Sequence, residues 1–239
     1  MKAFPILILC IFSLLMTGCA STLKNQTYED QALNDPWENI NRKVFTFNVV
    51  TDSLLIKPVA KTYKNVVPSF GQTAVRNFFS NLGEPVSIVN NLFQLKFDDS
   101  LTSLGRFVFN STFGIAGLID ISSEMGIQKQ PEDFGQTLAY WGVKPGPYVM
   151  LPFLGPSTLR DSISLFPDSV LNPNRALDST GANLLYLGLN TIDTRSRLLN
   201  IDILLEQQLD PYSFIRSGHE QNRITKIFDG DPPEPEEDF

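Results

Sequence analysis

Between residues 35 and 228, apolar side chains recur every three or four positions. Proline or glycine interrupts each run before it is long and apolar enough to span a bilayer. A chain with this pattern builds amphipathic helices, each with an apolar face that must be covered. In ENINRKVFTFNVVTDSLL, Val44, Phe45, Phe47 and Val49 supply such a face. Asp35 suits an N-cap there, Pro36 suits the first helical position, and Pro58 is expected to break or bend the helix. Val75, Phe78, Phe79 and Leu82 carry the next face; Gly83-Glu84-Pro85 interrupts it, and Val86, Val89, Leu92 and Phe93 resume it. After Asp98-Asp99, placed for a helix start, Leu101, Leu104, Val108 and Ile115 keep the helical rhythm. Phe107, Phe109 and Phe113 widen it. Residues 131–160 differ, with five prolines, four glycines and no helical period: an ordered, turn-rich segment. Helical spacing returns from about 175 to 209, Asp210-Pro211-Tyr212 ends it, and a shorter helix runs to about 228. The expectation is an all-α single domain over 35–228, followed by an acidic, proline-rich disordered tail over 229–239.

The N-terminus carries a different signal. Lys2 precedes an apolar stretch, AFPILILCIFSLLM, too short and too thinly flanked for a span. Met16-Thr17-Gly18-Cys19 resembles a lipobox, so residues 1–18 are expected to be a signal peptide and Cys19 the lipidated first residue of a tether over 19–34. Chemistry demands a cysteine there, because its thiol accepts the diacylglycerol and its freed amine can take a further acyl chain. Several chains at one site anchor firmly, since each buried methylene contributes about 0.8 kcal/mol. Ala20 is not the aspartate typical of inner-membrane retention, which favours the outer membrane. Cleavage removes Cys10, leaving no second thiol for a disulfide.

Charge and residue counts narrow the function. A net charge of −7 argues against a nucleic-acid partner. No G-x-S-x-G elbow is present, and the single histidine, His219, lacks the second histidine of H-E-x-x-H because position 223 is arginine. No catalytic residues, metal site or cofactor are expected. Eighteen phenylalanines, by contrast, offer large apolar area without a polar handle, suited to a core or to lipid.

Ordered blocks along the body resemble the MlaA/VacJ family of outer-membrane lipoproteins. They begin with Asp35-Pro36-Trp37-Glu38-Asn39-Ile40-Asn41-Arg42 and continue through Asn77-Phe78, Asn81-Leu82-Gly83-Glu84-Pro85, Asn90 to Gln94, Arg106-Phe107 and Asn110 to Gly114. Phe134-Gly135-Gln136-Thr137-Leu138, Trp141-Gly142-Val143, Gly146-Pro147-Tyr148 and Leu151-Pro152-Phe153 follow, then Arg160-Asp161, Thr194-Arg195 and Asp210-Pro211-Tyr212. Individually these blocks are weak; together, in order and behind a lipobox, they are specific.

The resemblance implies a helical disc or ring in the inner leaflet of the outer membrane, with a central amphipathic channel. Through it, phospholipids mislocalised in the outer leaflet would pass to a periplasmic lipid-carrier protein, maintaining lipid asymmetry without bond cleavage. Trimeric porins are implied partners in some bacteria. Asn77, Phe78, Glu84 and Pro85 fall in an implied control segment, although Phe79 stands where relatives often have a small polar residue. Gly146, Pro147, Tyr148, Pro152 and Phe153 are expected as architectural residues. Asn183, Asn190 and Thr194 are candidate polar points of the channel wall. For Arg106 and Arg160 a buried carboxylate is the favoured partner over a phosphate. An envelope scaffold without lipid passage is the alternative, and a carboxylate-dependent lipase the third.

Overall fold

The structure, a computed structural model, describes residues 27–176 and 179–233. The expected signal peptide, Cys19, most of the tether and the end of the acidic tail lie outside the described residues.

Helix α1 spans Glu38–Thr51. Asp35 does not cap it, since Trp37 stands at the N-cap. The Asp35 carboxylate instead accepts hydrogen bonds from Asn41, Tyr212 and Arg216, because tertiary donors reach it first. A π-helical turn over Asp52–Ile56 joins α1 to α2, Lys57–Val66. Pro58 therefore does not break the path. It brings no N–H for the α-helical ladder, and the wider turn just before it absorbs the mismatch. Helix α3, Ser69–Phe93, runs straight through Gly83-Glu84-Pro85, contrary to the interruption expected there. Tertiary packing overrides the local breaker, at the loss of one rung of the backbone ladder.

Helix α4 covers Phe97–Thr112, with Asp98 and Asp99 in its first turn, and α5 is a single turn, Ile121–Glu124. The turn-rich segment contains α6, Phe134–Tyr140, and an antiparallel hairpin of β1, Tyr148–Leu151, and β2, Gly155–Thr158, with Tyr148 opposite Thr158 and Leu151 opposite Gly155. Then come α7, Leu159–Leu171, α8, Thr180–Arg197, α9, Ile201–Glu206, and α10, Pro211–Ile227, the last capped by Asp210. Helices α3 and α4 pack most extensively, α2 lies along α8, and α10 touches α6 and β2. The architecture is largely helical, and no described helix is long and apolar enough to cross a membrane.

The arrangement of side chains is inverted. Among the described residues, seven apolar side chains are buried, against twenty-two polar or charged ones. On α3 the buried positions include Asn81, Glu84, Ser87, Asn90 and Asn91, and on α4 they are Ser100, Ser103, Arg106 and Asn110. Both sets follow helical spacing, so each helix turns a polar stripe inward. Leu101, Leu104, Val108 and Phe109 on α4 face outward, as do Ile163, Leu165 and Phe166 on α7 and Leu184, Leu185 and Leu187 on α8. Soluble monomers rarely expose apolar patches beyond a few hundred Å². A helical body can meet lipid in this way because its backbone groups are satisfied internally.

Arg106 sits at the centre of the polar seam with 0 % exposure. It donates to Glu84 Oε1 at 3.1 Å, to both oxygens of Asp120 at 2.8 and 3.0 Å, to Ser123 Oγ at 3.3 Å and to the Ile127 carbonyl. Burial pushes the Glu84 carboxyl above its ordinary value despite this partner. For Asp120 burial acts the same way, but bonds from Ser123 and Asn110 and the Arg106 charge outweigh it and hold the carboxyl at about 2. A smaller conventional core, Tyr148, Met150 and Tyr212 packed with Leu33, Val44, Phe45 and Ile215, joins the hairpin to α1 and α10.

Replacing Arg106 with leucine strands the buried Glu84 and the partly buried Asp120 carboxylates and should destabilise the fold by about 3–5 kcal/mol. Urea unfolding of the detergent-solubilised protein checks this, and a loss below 1 kcal/mol would contradict the seam's role. A pH effect follows from Asp168, which accepts from the Phe134 backbone N–H and from Asn90, and whose carboxyl burial raises to about 6 from 3.8. A raised carboxyl contributes stability that is fully present below pH 3.8 and lost as pH rises through 6. The wild-type melting temperature should therefore fall from pH 5 to 7 relative to Asp168→Asn; parallel curves over that window would contradict the assignment.

Candidate functional site

A cavity of about 570 Å³ opens between α1, the π turn, the hairpin, the end of α8, α9 and the start of α10. Its walls are mostly apolar, with Phe45, Val49, Met150, Leu198, Ile201 and Ile215 among them. Asp52, Lys57, Arg195, Asp202 and Glu206 also line it.

Four of these charges form a continuous strip. Arg195 meets Asp52 with two parallel bonds, Nε to Oδ1 and Nη2 to Oδ2, both 2.8 Å. The same Nη2 reaches Asp202 at 2.7 and 3.0 Å, and Lys57 Nζ lies 2.9 Å from Asp202 Oδ2. The bidentate fork fixes the Asp52–Arg195 geometry. The hydrogen bonds that Arg195 donates to Asp52 raise its pKa above the ordinary value. Burial pushes the Asp202 carboxyl up, but Lys57 and Arg195 outweigh burial and hold it below its usual value.

The π turn explains how α1 and α2 contribute two charges to one wall. In a regular helix, residues five apart point about 140° away from each other. Here the Lys57 N–H closes on the Asp52 carbonyl, five residues back, so the two side chains come round to the same side. Arg195 and Asp202 stand across from them, at the end of α8 and in the first turn of α9. Sequence reasoning missed this strip. A signal was present: Asp52 and Lys57 are isolated charges in the apolar run VVTDSLLIKPV.

Asn183, Asn190 and Thr194 all lie on α8 but are not among the residues lining the cavity. Thr194 accepts from Arg197, and Asn183 donates to the Ser179 carbonyl. Asn77, Phe78, Glu84 and Pro85 share α3. Asn77 Nδ2 donates to the Leu118 carbonyl at 3.3 Å, and the Phe78, Phe79 and Tyr186 rings run edge to face from α3 to α8, with centroids 5.6 and 5.2 Å apart. Phe79 therefore faces an aromatic neighbour. The loop that Asn77 touches is unusual, because Ile115 and Ala116 precede Gly117 with all three at positive φ. A Cβ at Gly117 would lie 2.6 Å from Asn81 Cβ, so glycine is required at that approach.

The architectural candidates gather at the hairpin. Gly146 has φ +70°, and the Pro147 carbonyl accepts from the Leu159 N–H at 3.0 Å. Tyr148 is fully buried, and its carbonyl and the Met150 N–H both bond the Asn41 side chain. Pro152 and Phe153 form the exposed turn, where Phe153 has φ +64° and its ring meets Phe47 edge-on at 5.2 Å. Arg160 pairs with Asp161 at 3.0 Å, so both Arg106 and Arg160 have carboxylate partners. Among the described residues, no group of three or more His, Cys, Asp and Glu is placed to hold a metal ion.

The sequence profile described as MlaA lipoprotein matches residues 33–226. The intermembrane phospholipid transport system lipoprotein MlaA of Escherichia coli strain K12 is 34% identical over 233 residues, 96% of this chain and 90% of that one. Its counterpart in Haemophilus influenzae is 33% identical over 235 residues, 96% of this chain and 93% of its own. An uncharacterised protein of Rickettsia bellii is 37% identical over 195 residues, 81% of this chain and 76% of its own. A solved chain from work on the structural basis for maintenance of bacterial outer membrane lipid asymmetry superposes with a TM-score of 0.73. It is 34% identical in sequence, and the match covers 83% of this chain and 100% of that one.

Proposed function

We propose, from the premise that this chain belongs to the MlaA lipoprotein family, that it is an outer-membrane lipoprotein that moves phospholipids and maintains lipid asymmetry. The observation that carries this is the inverted body: apolar side chains outward, polar side chains inward, and a largely apolar cavity bearing a charged strip. An acyl chain meets the apolar wall without desolvating any polar group. A phosphorylated headgroup needs the charged strip, because an apolar wall alone would strand it. The exposed faces of α4, α7 and α8 would meet the acyl chains of the inner leaflet, with Cys19 supplying the covalent anchor. The transport breaks no bond, so the protein is not an enzyme.

The finer parts of the reading have their own support. Phospholipid leaving the cavity requires an acceptor that shields its chains from water, hence a periplasmic lipid-carrier protein. A trimeric porin is a further candidate partner, carried by the family resemblance alone. Asn77 and Phe78 form a control point because they tie α3 to the left-handed 115–117 loop and, through Phe79 and Tyr186, to α8. Glu84 and Pro85 fix the same helix to Arg106 and interrupt its backbone ladder. The hairpin residues Gly146, Pro147, Tyr148, Pro152 and Phe153 hold the wall that carries Met150 and Gly155. Asn183, Asn190 and Thr194 supply polar points on α8 beyond the cavity. An envelope scaffold would need none of the inverted packing.

Lipid mass spectrometry of the detergent-purified, acylated protein, beside an unrelated lipoprotein, tests the transport reading. Intact glycerophospholipid should be enriched, and Ser53→Trp, which places an indole at the cavity wall, should lower it about five- to tenfold. Retention no greater than the control's would sink the reading, and lysolipid in its place would revive the hydrolase. For the control point, cells carrying Asn77→Ala with Phe78→Ala should display more phospholipid at the outer surface than wild type. Unchanged surface phospholipid would remove Asn77 and Phe78 from any gating role.

A further inference from the structure

We infer that the Asp52–Arg195–Asp202–Lys57 strip selects zwitterionic phospholipid headgroups, those joining a phosphodiester to an ammonium, over anionic ones. The inference rests on the reading that this cavity lies on the lipid's path.

The argument starts from charge. Both lining cations are already bonded to lining carboxylates, and Glu206, which takes part in none of these bonds, adds a further negative charge. The wall is therefore net acidic. An anionic headgroup entering it must draw Lys57 or Arg195 away from a carboxylate and has nothing to offer that carboxylate in return. Leaving a desolvated carboxylate unpaired is the expensive half of breaking a buried pair. A zwitterionic headgroup exchanges pair for pair: its phosphate takes the cation and its ammonium takes the carboxylate. Specificity then comes from the repulsion the anionic lipid meets as much as from contacts the zwitterion gains.

Geometry places the exchange at Lys57–Asp202. The Asp52–Arg195 fork is rigid and doubly bonded. Lys57 ends the strip, an ammonium carries three donors, and among the described residues its one ion-pair partner is Asp202. Lys57 and Asp202 keep 26% and 15% side-chain exposure, so a ligand can reach both. When Lys57 turns to a phosphate, Asp202 still holds Arg195 at 2.7 and 3.0 Å, and the position on Oδ2 that Lys57 vacates is open to an incoming ammonium. A phosphate and an ammonium two carbons apart suit neighbouring members of such an alternating strip.

The test uses the full-length acylated protein, equilibrated in mixed micelles with equimolar phosphatidylethanolamine and phosphatidylglycerol of matched acyl chains. The lipid that copurifies is quantified by mass spectrometry. Wild type should retain the ethanolamine lipid in about two- to fivefold excess, the contribution of one ion pair kept in place of one lost. Asp202→Asn, which frees Lys57 and removes the ammonium's partner, should bring the ratio among the lipid that stays bound to one or below. Glu206→Gln, outside the bonded strip and so without effect on its folding, should shift the ratio in the same direction by a smaller factor. Equal retention of both lipids by wild type overturns the headgroup inference and leaves lipid transport standing. A ratio unmoved by both variants overturns it equally. Retention of neither lipid above the control lipoprotein overturns the transport reading and this inference with it.

Discussion

A guanidinium with no exposed surface has to be met on every side, and the way Arg106 is met organises the α3–α5 half of the molecule. Its five donors reach Glu84 on α3, the cap residue Asp120 and Ser123 of α5, and the Ile127 carbonyl beyond it. Asn110, one turn further along α4, donates to the same Asp120 and accepts from the Ser122 N–H. Two long helices and the short turn that follows are thereby fixed by charge-assisted bonds, which are directional, instead of by apolar contact, which is not. Because Arg106 and Glu84 are both buried, the register of α3 against α4 tolerates no slip: a shift of one residue would strand at least one charge.

The polar seam frees the apolar stripes of the same helices to face outward. In water this would be a liability, since each exposed Phe or Leu forgoes about 1.5–3 kcal/mol of burial. Against acyl chains the sign reverses, so on the proposed reading these same faces are the ones that would meet a leaflet. The Tyr148–Met150–Tyr212 core shows that the chain also packs conventionally where the hairpin meets α1 and α10. One molecule thus carries two packing schemes, and the cavity lies where they meet, lined by Phe45, Met150 and Ile215 of the conventional core and by the ends of α8 and α9.

The cavity's chemistry depends on a backbone irregularity. Without the π turn, Asp52 and Lys57 would point to different sides of one helix and no alternating strip would form. Pro58 is the local reason for that turn, so a residue that looks like a helix breaker acts as the device that aligns two charges. The left-handed run at 115–117 has a comparable character, a strained loop held beside Asn77 and Asn81 by a glycine that nothing larger replaces. Strain of this kind persists where the surrounding packing over-determines it.

The sequence by itself determined the helical class, the short amphipathic runs and the family's ordered blocks, and it carries a lipobox-like motif at Cys19, because spacing and motif are local properties of the chain. It also indicated that Arg106 and Arg160 would seek carboxylates. Which face of each helix points inward was decided only by the tertiary structure. Leu101, Leu104 and Val108 have the same periodicity whether they face a core or a lipid, and only the positions of Ser103, Arg106 and Asn110 around Asp120 and Glu84 distinguish the two. The same holds for Asp35, whose expected cap lost to Tyr212 and Asn41, and for Pro85, carried through a 25-residue helix by its neighbours. The charged strip lay furthest from view, since Asp52 and Arg195 stand 143 residues apart and meet only when α2 lies along α8. Periodicity fixes what a segment can present; long-range contacts, and the solvent outside them, fix what it presents to whom.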